Sequence, residues 1–234
     1  MTVLASTILA EVAILAQDPD HIRWPLPEAI GWLNDGLLET VLQKPSAYSR
    51  TVVLSLVAGT LQGIGSDGLQ LLRLTRNITD VGPPVVGGRM IRVVERQILD
   101  LQSPDWNNPA ITPPTQAVKG LIIDEQDPKV FWVFPPNNGT GMVEAILAKV
   151  PPMIVATGDA TDIASYATAI PLEDVYKGPL ISYILSRFYS KDSSFAANMQ
   201  LATAHYGLFQ AGLGVKVTVE TTLSPNAAAK IVTS

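Results

Sequence analysis

The sequence predicts an α+β fold: a four-helix bundle, two helices from each end of the chain, with an inserted, mostly antiparallel β-sheet part and an extended C-terminal tail. Three observations predict it. Both ends carry apolar residues at helical period, and the middle carries short apolar runs broken by Gly, Pro and Asn. Only 16% of the 234 residues are charged while 47% are hydrophobic, so the chain can bury a large core. The expected divisions are a helical bundle over 1–48 and 171–214, a β-rich insertion over 49–170 and an arm over 215–234.

In the first helix Leu4, Ile8, Val12 and Leu15 form an apolar stripe. After a break at Asp18-Pro19-Asp20, a second stripe runs through Leu26, Ile30, Leu33, Leu37 and Val41. Pro25 and Pro27 sit where a first turn tolerates proline, and Lys44-Pro45 stops the helix with a cation at its negative end. Strands are expected near Thr51–Val57, Leu69–Leu74, Met90–Arg96, Val118–Ile123, Val130–Phe134 and Met142–Val150. They read as one sheet of about six mostly antiparallel strands, since no connection shows both the length and the period of a crossover helix. Gln97–Leu101 offers one turn at most. Val130–Phe134 is apolar throughout and reads as a strand covered on both faces.

Helical period returns after Pro171. Pro179 opens a third helix carrying Leu180, Tyr183, Ile184, Arg187 and Phe188, and Ser190-Lys191-Asp192-Ser193 connects it to a fourth. In the fourth, Ala197, Leu201, Ala204, Leu208 and Ala211 mark the packing face, small enough for close helix approach, and Gly212 and Gly214 supply the stop. Beyond Val215 no core-building period remains.

The shortage of charge points to surface covered by something other than water, either a membrane or other protein chains. Glu11, Pro25, Asp35 and Pro179 interrupt the best apolar stretches, so no run of ~20 apolar residues is left to span a membrane. Met1–Ala16 has no Lys or Arg before its apolar stretch and holds Glu11 within it, so it reads as a mature helix. The absence of cysteine excludes disulfides and thiolate chemistry and suits a reducing compartment. Asn77-Ile78-Thr79 and Asn138-Gly139-Thr140 match the glycosylation pattern by chance, in turns. The net charge of −5 is uneven: residues 1–72 sum to −4, 73–96 to +3, 97–162 to −5 and 163–234 to +1. The basic segment, Arg73, Arg76, Arg89, Arg92 and Arg96, reads as a solvated or subunit-facing strand edge, because an acidic chain does not draw its affinity from DNA phosphates.

The residues offer little for catalysis. His21 and His205 have no second histidine or carboxylate at metal-ligand spacing, and no nucleophile elbow, phosphate loop or dinucleotide fingerprint appears. Asp124, Glu125 and Asp127 form a hairpin tip without the alternation of a calcium loop, although a metal-assisted hydrolase built on them is the enzymatic alternative. Glu173-Asp174 suits the positive end of the third helix. Trp24, Trp32, Trp106 and Trp132 are scattered and lack the flanking cations of a base-stacking platform. No catalytic, cofactor or metal site is expected.

Two stretches carry a resemblance. Trp24-Pro25-Leu26-Pro27-Glu28 leads into Trp32-Leu33-Asn34-Asp35-Gly36 and ends in Lys44-Pro45. Near the other end stand Tyr183, Arg187, Phe188-Tyr189-Ser190-Lys191-Asp192, Ala196-Ala197-Asn198, Ala204-His205-Tyr206 and Phe209. Together, over residues 3–45 and 171–214, they resemble the head-to-tail adaptor (connector) proteins of tailed bacteriophages. The resemblance implies a virion structural protein without catalytic residues, made in the host cytoplasm and placed in the neck. It implies a homo-oligomeric ring, usually twelvefold, that meets the portal on one side and a tail or nozzle protein on the other. Double-stranded DNA would pass through without specific binding, helped by like charge in the channel. Residues 215–234 would be a docking arm, with Val215, Val217, Val219, Leu223, Pro225 and Ile231 as interface residues. A different tail or neck component, such as a tail terminator or baseplate piece, is the alternative.

Overall fold

The computed structural model describes residues 2–123, 126–192 and 196–223, with side chains in the last stretch only from 197 to 214. It is α+β, and the chain forms two compact units, Met1–Ala47 with Pro151–Ser234, and Tyr48–Val150. The β-rich unit therefore closes at Val150 instead of the expected 170.

The helical unit holds α1 (Ala5–Leu15), α2 (Leu26–Gln43), α4 (Lys177–Lys191) and α5 (Ala196–Leu223). α2 buries Leu26, Ile30, Leu33, Leu37 and Val41, the stripe its sequence predicts. In α1 the buried face is Ala5, Ile8, Leu9, Val12 and Ala13, while Leu15 of the expected stripe is exposed. The link between them is built by Asp18, whose carboxylate accepts the backbone N–H groups of Ile22, Arg23 and Trp24 at 2.9–3.0 Å, and which bends the chain through positive φ at Gln17 and His21. Trp24 then stacks on Phe188 at 4.7 Å, and Trp32 meets the same ring edge-on at 5.1 Å. α2 and α4 approach closely at Gly36, where a Cβ would lie 2.8 Å from Tyr183. Residues 151–170, expected among the strands, belong to the helical unit. They run without regular strand structure, and the Asn34 side chain holds Ile154 there, donating to its carbonyl at 2.9 Å and accepting from its N–H at 2.8 Å.

α5 differs most from expectation. Its backbone passes through Gly212 and Gly214 and stays helical to Leu223, so residues 215–223 are not extended. It packs on α4 through Ala202, Tyr206, Phe209 and Leu213, with Phe209 edge-on to Tyr183 at 5.1 Å. The stripe read as its packing face, Ala197, Leu201, Ala204, Leu208 and Ala211, faces outward.

In the second unit the single expected sheet is two four-stranded sheets. One has the order β1-β8-β3-β4, from Ser49–Ser55, Met142–Lys149, Gly68–Asp80 and Val86–Met90, and is antiparallel throughout. The other has the order β2-β7-β6-β5, from Ala58–Gly63, Val130–Asn138, Gly120–Ile123 and Arg92–Val93. Its β5–β6 pair is parallel, and the crossover carries α3 (Arg96–Gln102), where only a turn was expected. Leu71, Leu74, Val143, Ala145 and Leu147 of the first sheet share one core with Leu121, Phe131 and Val133 of the second. On the other face of the second sheet, Leu99 of α3 and Trp106 pack with Ile122, Trp132 and Phe134, which is why β7 is apolar on both sides.

Two buried asparagines lock the segment before β6 in place. Asn77 donates to the carbonyls of Arg89 (2.9 Å) and Val118 (2.8 Å) and accepts from Val118 N–H at 2.8 Å. Asn137 donates to the carbonyls of Thr115 and Gln116 and accepts from the N–H groups of Gly139 and Gly141. Both are fully hydrogen-bonded, which is what lets polar side chains sit in an apolar interior.

Candidate functional site

Several titratable groups make contacts within the fold. His205 lies flat against Tyr189, with ring centroids 5.6 Å apart, and its Nδ1 is buried without a hydrogen-bond partner. That burial holds its pKa below the ordinary histidine value. His21 forms part of the α1–α2 bend. Asp174 accepts from Val3 N–H at 2.9 Å, and the Asp127 carboxylate turns back on Lys129 N–H at 3.1 Å. Asp124 and Glu125 lie outside the described residues. Among the described residues no three His, Asp or Glu side chains are grouped to hold a metal ion.

The basic segment is divided between the two sheets. Arg76 pairs with Glu144 at 3.0 Å, and Thr75 also donates to that carboxylate; together they hold its pKa below the ordinary value. Arg96 stacks over Trp132 at 5.1 Å and approaches Asp100 at 3.8 Å. Trp106 donates its indole N–H to Asp100 at 2.7 Å. Trp24 and Trp32 thus pack within the helical unit, and Trp106 and Trp132 within the β-rich unit.

An open groove of about 380 Å³ lies in the helical unit among Glu39, Arg187, Met199, Ala202, Thr203 and Tyr206. Several of its polar groups are hydrogen-bonded within the fold. Tyr206 donates to Glu39 at 3.2 Å, and that hydrogen-bonded neighbourhood adds to burial in raising the phenol's pKa. Arg187 donates to the Tyr183 hydroxyl at 2.7 Å, which raises the guanidinium pKa further. The Ser186 hydroxyl donates into its own helix, to Tyr183 O, at 2.6 Å.

What the helical unit does present is apolar surface. On α5, Leu201 is 42% exposed and Leu208 59%, flanked by exposed Ala197, Ala204 and Ala211. No charged residue occurs between Asp192 and Lys216, so this outward face is uncharged over about four turns. A solvated helix face normally carries charge, and this one does not. Of the six interface residues expected from sequence, positions 215, 217, 219 and 223 fall on helical backbone, and Pro225 and Ile231 lie outside the described residues. Helical spacing puts positions 215, 219 and 223 in one row and 217 in another, so they do not alternate as in a strand. The signal missed in the sequence was the lack of charge over 197–214, which pointed to a second apolar face opposite the packed one.

No helix among the described residues is long and apolar enough to cross a membrane. No curated protein matches the chain. A family model described as SU10 adaptor protein matches residues 1–229, so the chain belongs to the SU10 adaptor protein family, structural adaptors and virion components of bacteriophages.

Proposed function

We propose that this adaptor is a ring subunit at the head-to-tail junction, joining the portal to the tail and extending the DNA channel. The observation that supports it most is the uncharged outward face of α5, on a chain of an adaptor family with 16% charge overall. Low charge then reflects surface shared between subunits. In this reading α1, α2, α4 and α5 form a four-helix bundle, and Val215, Val217, Val219, Leu223, Pro225 and Ile231 belong to the portal-docking end. The ring is twelvefold in this proposal, and DNA passes without base-specific contacts.

Negative-stain imaging and light scattering of the protein mixed with its portal test this. The expected result is a stoichiometric complex carrying an added ring below the portal. A protein that stays unbound in the mixture overturns the proposal, and localisation elsewhere in the particle transfers it to another tail component.

A further inference from the structure

Charge is divided between the two units as sharply as the fold is. The β-rich unit carries nine basic and nine acidic side chains, so the whole net charge of −5 falls on the helical unit. Within the neutral unit, cations gather on the side where β4 and β5 are the edge strands of their sheets. Ile91 turns into the core between the sheets, so Met90 and Arg92, its neighbours in an extended chain, point away from it. Arg89, Arg92 and Lys119 are exposed there, with Met90 58% and Val93 71% exposed beside them. The Arg92 N–H donates to the Lys119 carbonyl at 3.1 Å, which sets these two residues side by side. Carboxylates of the unit are engaged elsewhere: Glu144 with Arg76, Asp100 with Arg96 and Asp67 with Lys149. Arg89, Arg92 and Lys119 form no ion pair among the described residues. Cations on an open edge keep other strands off, and the opposite edge, β1 with β2, carries Arg50 and no acid. The surface that suits this edge is therefore apolar and acidic, and is not a further strand.

The helical unit holds such a surface. An open groove of about 450 Å³ lies where α1 ends and α2 begins, against residues 161–163. Ala13, Ile14, Leu26 and Ile163 give it apolar walls, and Asp20 and Asp162, both exposed, give it negative charge. Ile14 is 69% exposed. Asp159, just before this stretch, accepts from the N–H and the hydroxyl of Thr161 at 2.9 and 2.8 Å, which favours its ionised form. Two other grooves of the unit each hold a cation, Arg187 in one and Lys191 in the other, which would repel the edge. We infer that the groove receives the β4–β5 edge of a second copy, with Met90 and Val93 against its walls and Arg89 and Arg92 toward its carboxylates. Charge complementarity of this kind selects the partner and its orientation more than it adds affinity. Edge and groove are different patches on different units, so the contact is heterologous and its repetition can close a ring. It supplies the proposed ring with a joint between subunits, and to that extent rests on that reading.

Sedimentation of the full chain without portal, from about 5 to about 500 μM, is the test. Arg89→Glu/Arg92→Glu reverses the charge of the edge, and Ile14→Arg/Asp20→Arg reverses that of the groove. All four side chains are exposed, so both variants keep the fold, which circular dichroism checks. The expected result is a wild type that passes from monomer to oligomers across the range, less so in high salt, with either variant alone monomeric throughout. An equimolar mixture of the two variants is expected to associate again. The glutamate edge of one then meets the arginine groove of the other, while the unaltered edge and groove still match. A wild-type monomer at the highest concentration overturns the inference, as does association that survives either variant, or a mixture that stays monomeric. If the wild type stays monomeric and the edge variant loses portal binding, the edge belongs to the portal and the inference falls. Since portal is absent from the sedimentation, failure there leaves the neck assignment untouched; that assignment falls only if the wild type does not bind portal.

Discussion

At the level of single residues, His205 and Asn77 show how polar groups survive in a chain so rich in apolar ones. His205 is held neutral by burial, so its pKa is lower in the folded than in the unfolded state. Its neutral form therefore fits the fold fully above about 6.5, the unfolded value, and stability falls as pH drops through and below that point. The urea midpoint is expected to decrease between pH 7.5 and pH 5.5, and His205→Phe, which keeps a ring against Tyr189, is expected to flatten the change. Glu144, Asp67 and Asp159, whose pKa values are lowered, lose their contributions only in more acidic solution, so they do not enter this window. For Asn77→Ala, the buried C=O and N–H of Val118 and the partly buried carbonyl of Arg89 lose their partner, and the expected cost is roughly 2–4 kcal/mol by urea denaturation. No sequence pattern exposed Asn77. It lies beyond the expected strand 69–74, in a stretch read as a turn, and only the fold places it inside β3 as a buried residue.

At the level of elements, close approach matters more than composition. Gly36→Ala sets a methyl group against Tyr183, whose ring is buried and whose hydroxyl is held by Arg187. Overpacking costs about 1–3 kcal/mol and the better helix propensity of alanine returns about 1. A net loss of roughly 1 kcal/mol is expected, seen as a Tm lower by about 2–4 °C. The helices were legible because their stripes are long, as in α2. Two strands were not: β2, on an edge of the second sheet, is Ala-Gly-Thr-Leu-Gln-Gly and β4, on an edge of the first, is Val-Gly-Gly-Arg-Met, with glycines where branched residues normally signal a strand. β5 is two residues long and is held by its register with β6. α5 was legible as a helix but not in orientation. Two apolar rows, one through Ala197 and one through Ala202, share the same period on opposite sides, and no charge distinguishes them.

For the whole molecule, the β-rich unit is an insertion whose two ends meet. Ser49 pairs with Ala148 at the start of β1 and the end of β8. With its own core and adjoining ends, a fragment spanning 48–150 is expected to fold alone and to melt in one cooperative transition. A fragment that shows no such transition would mean that the helical unit is required to hold it.

The pair of hydrogen bonds between Asn34 and Ile154 also has a mechanical side. Ile154 is four residues past Val150, where the β-rich unit ends, so a pull on the chain leaving that unit reaches these bonds early. Both lie between one side chain and the N–H and C=O of a single residue, so they are loaded together and not peeled apart in turn. The tension is passed to α2 at its middle, through a side chain anchored on the helix, before it can reach α4. The anchor acts as a strain relief for the helical unit.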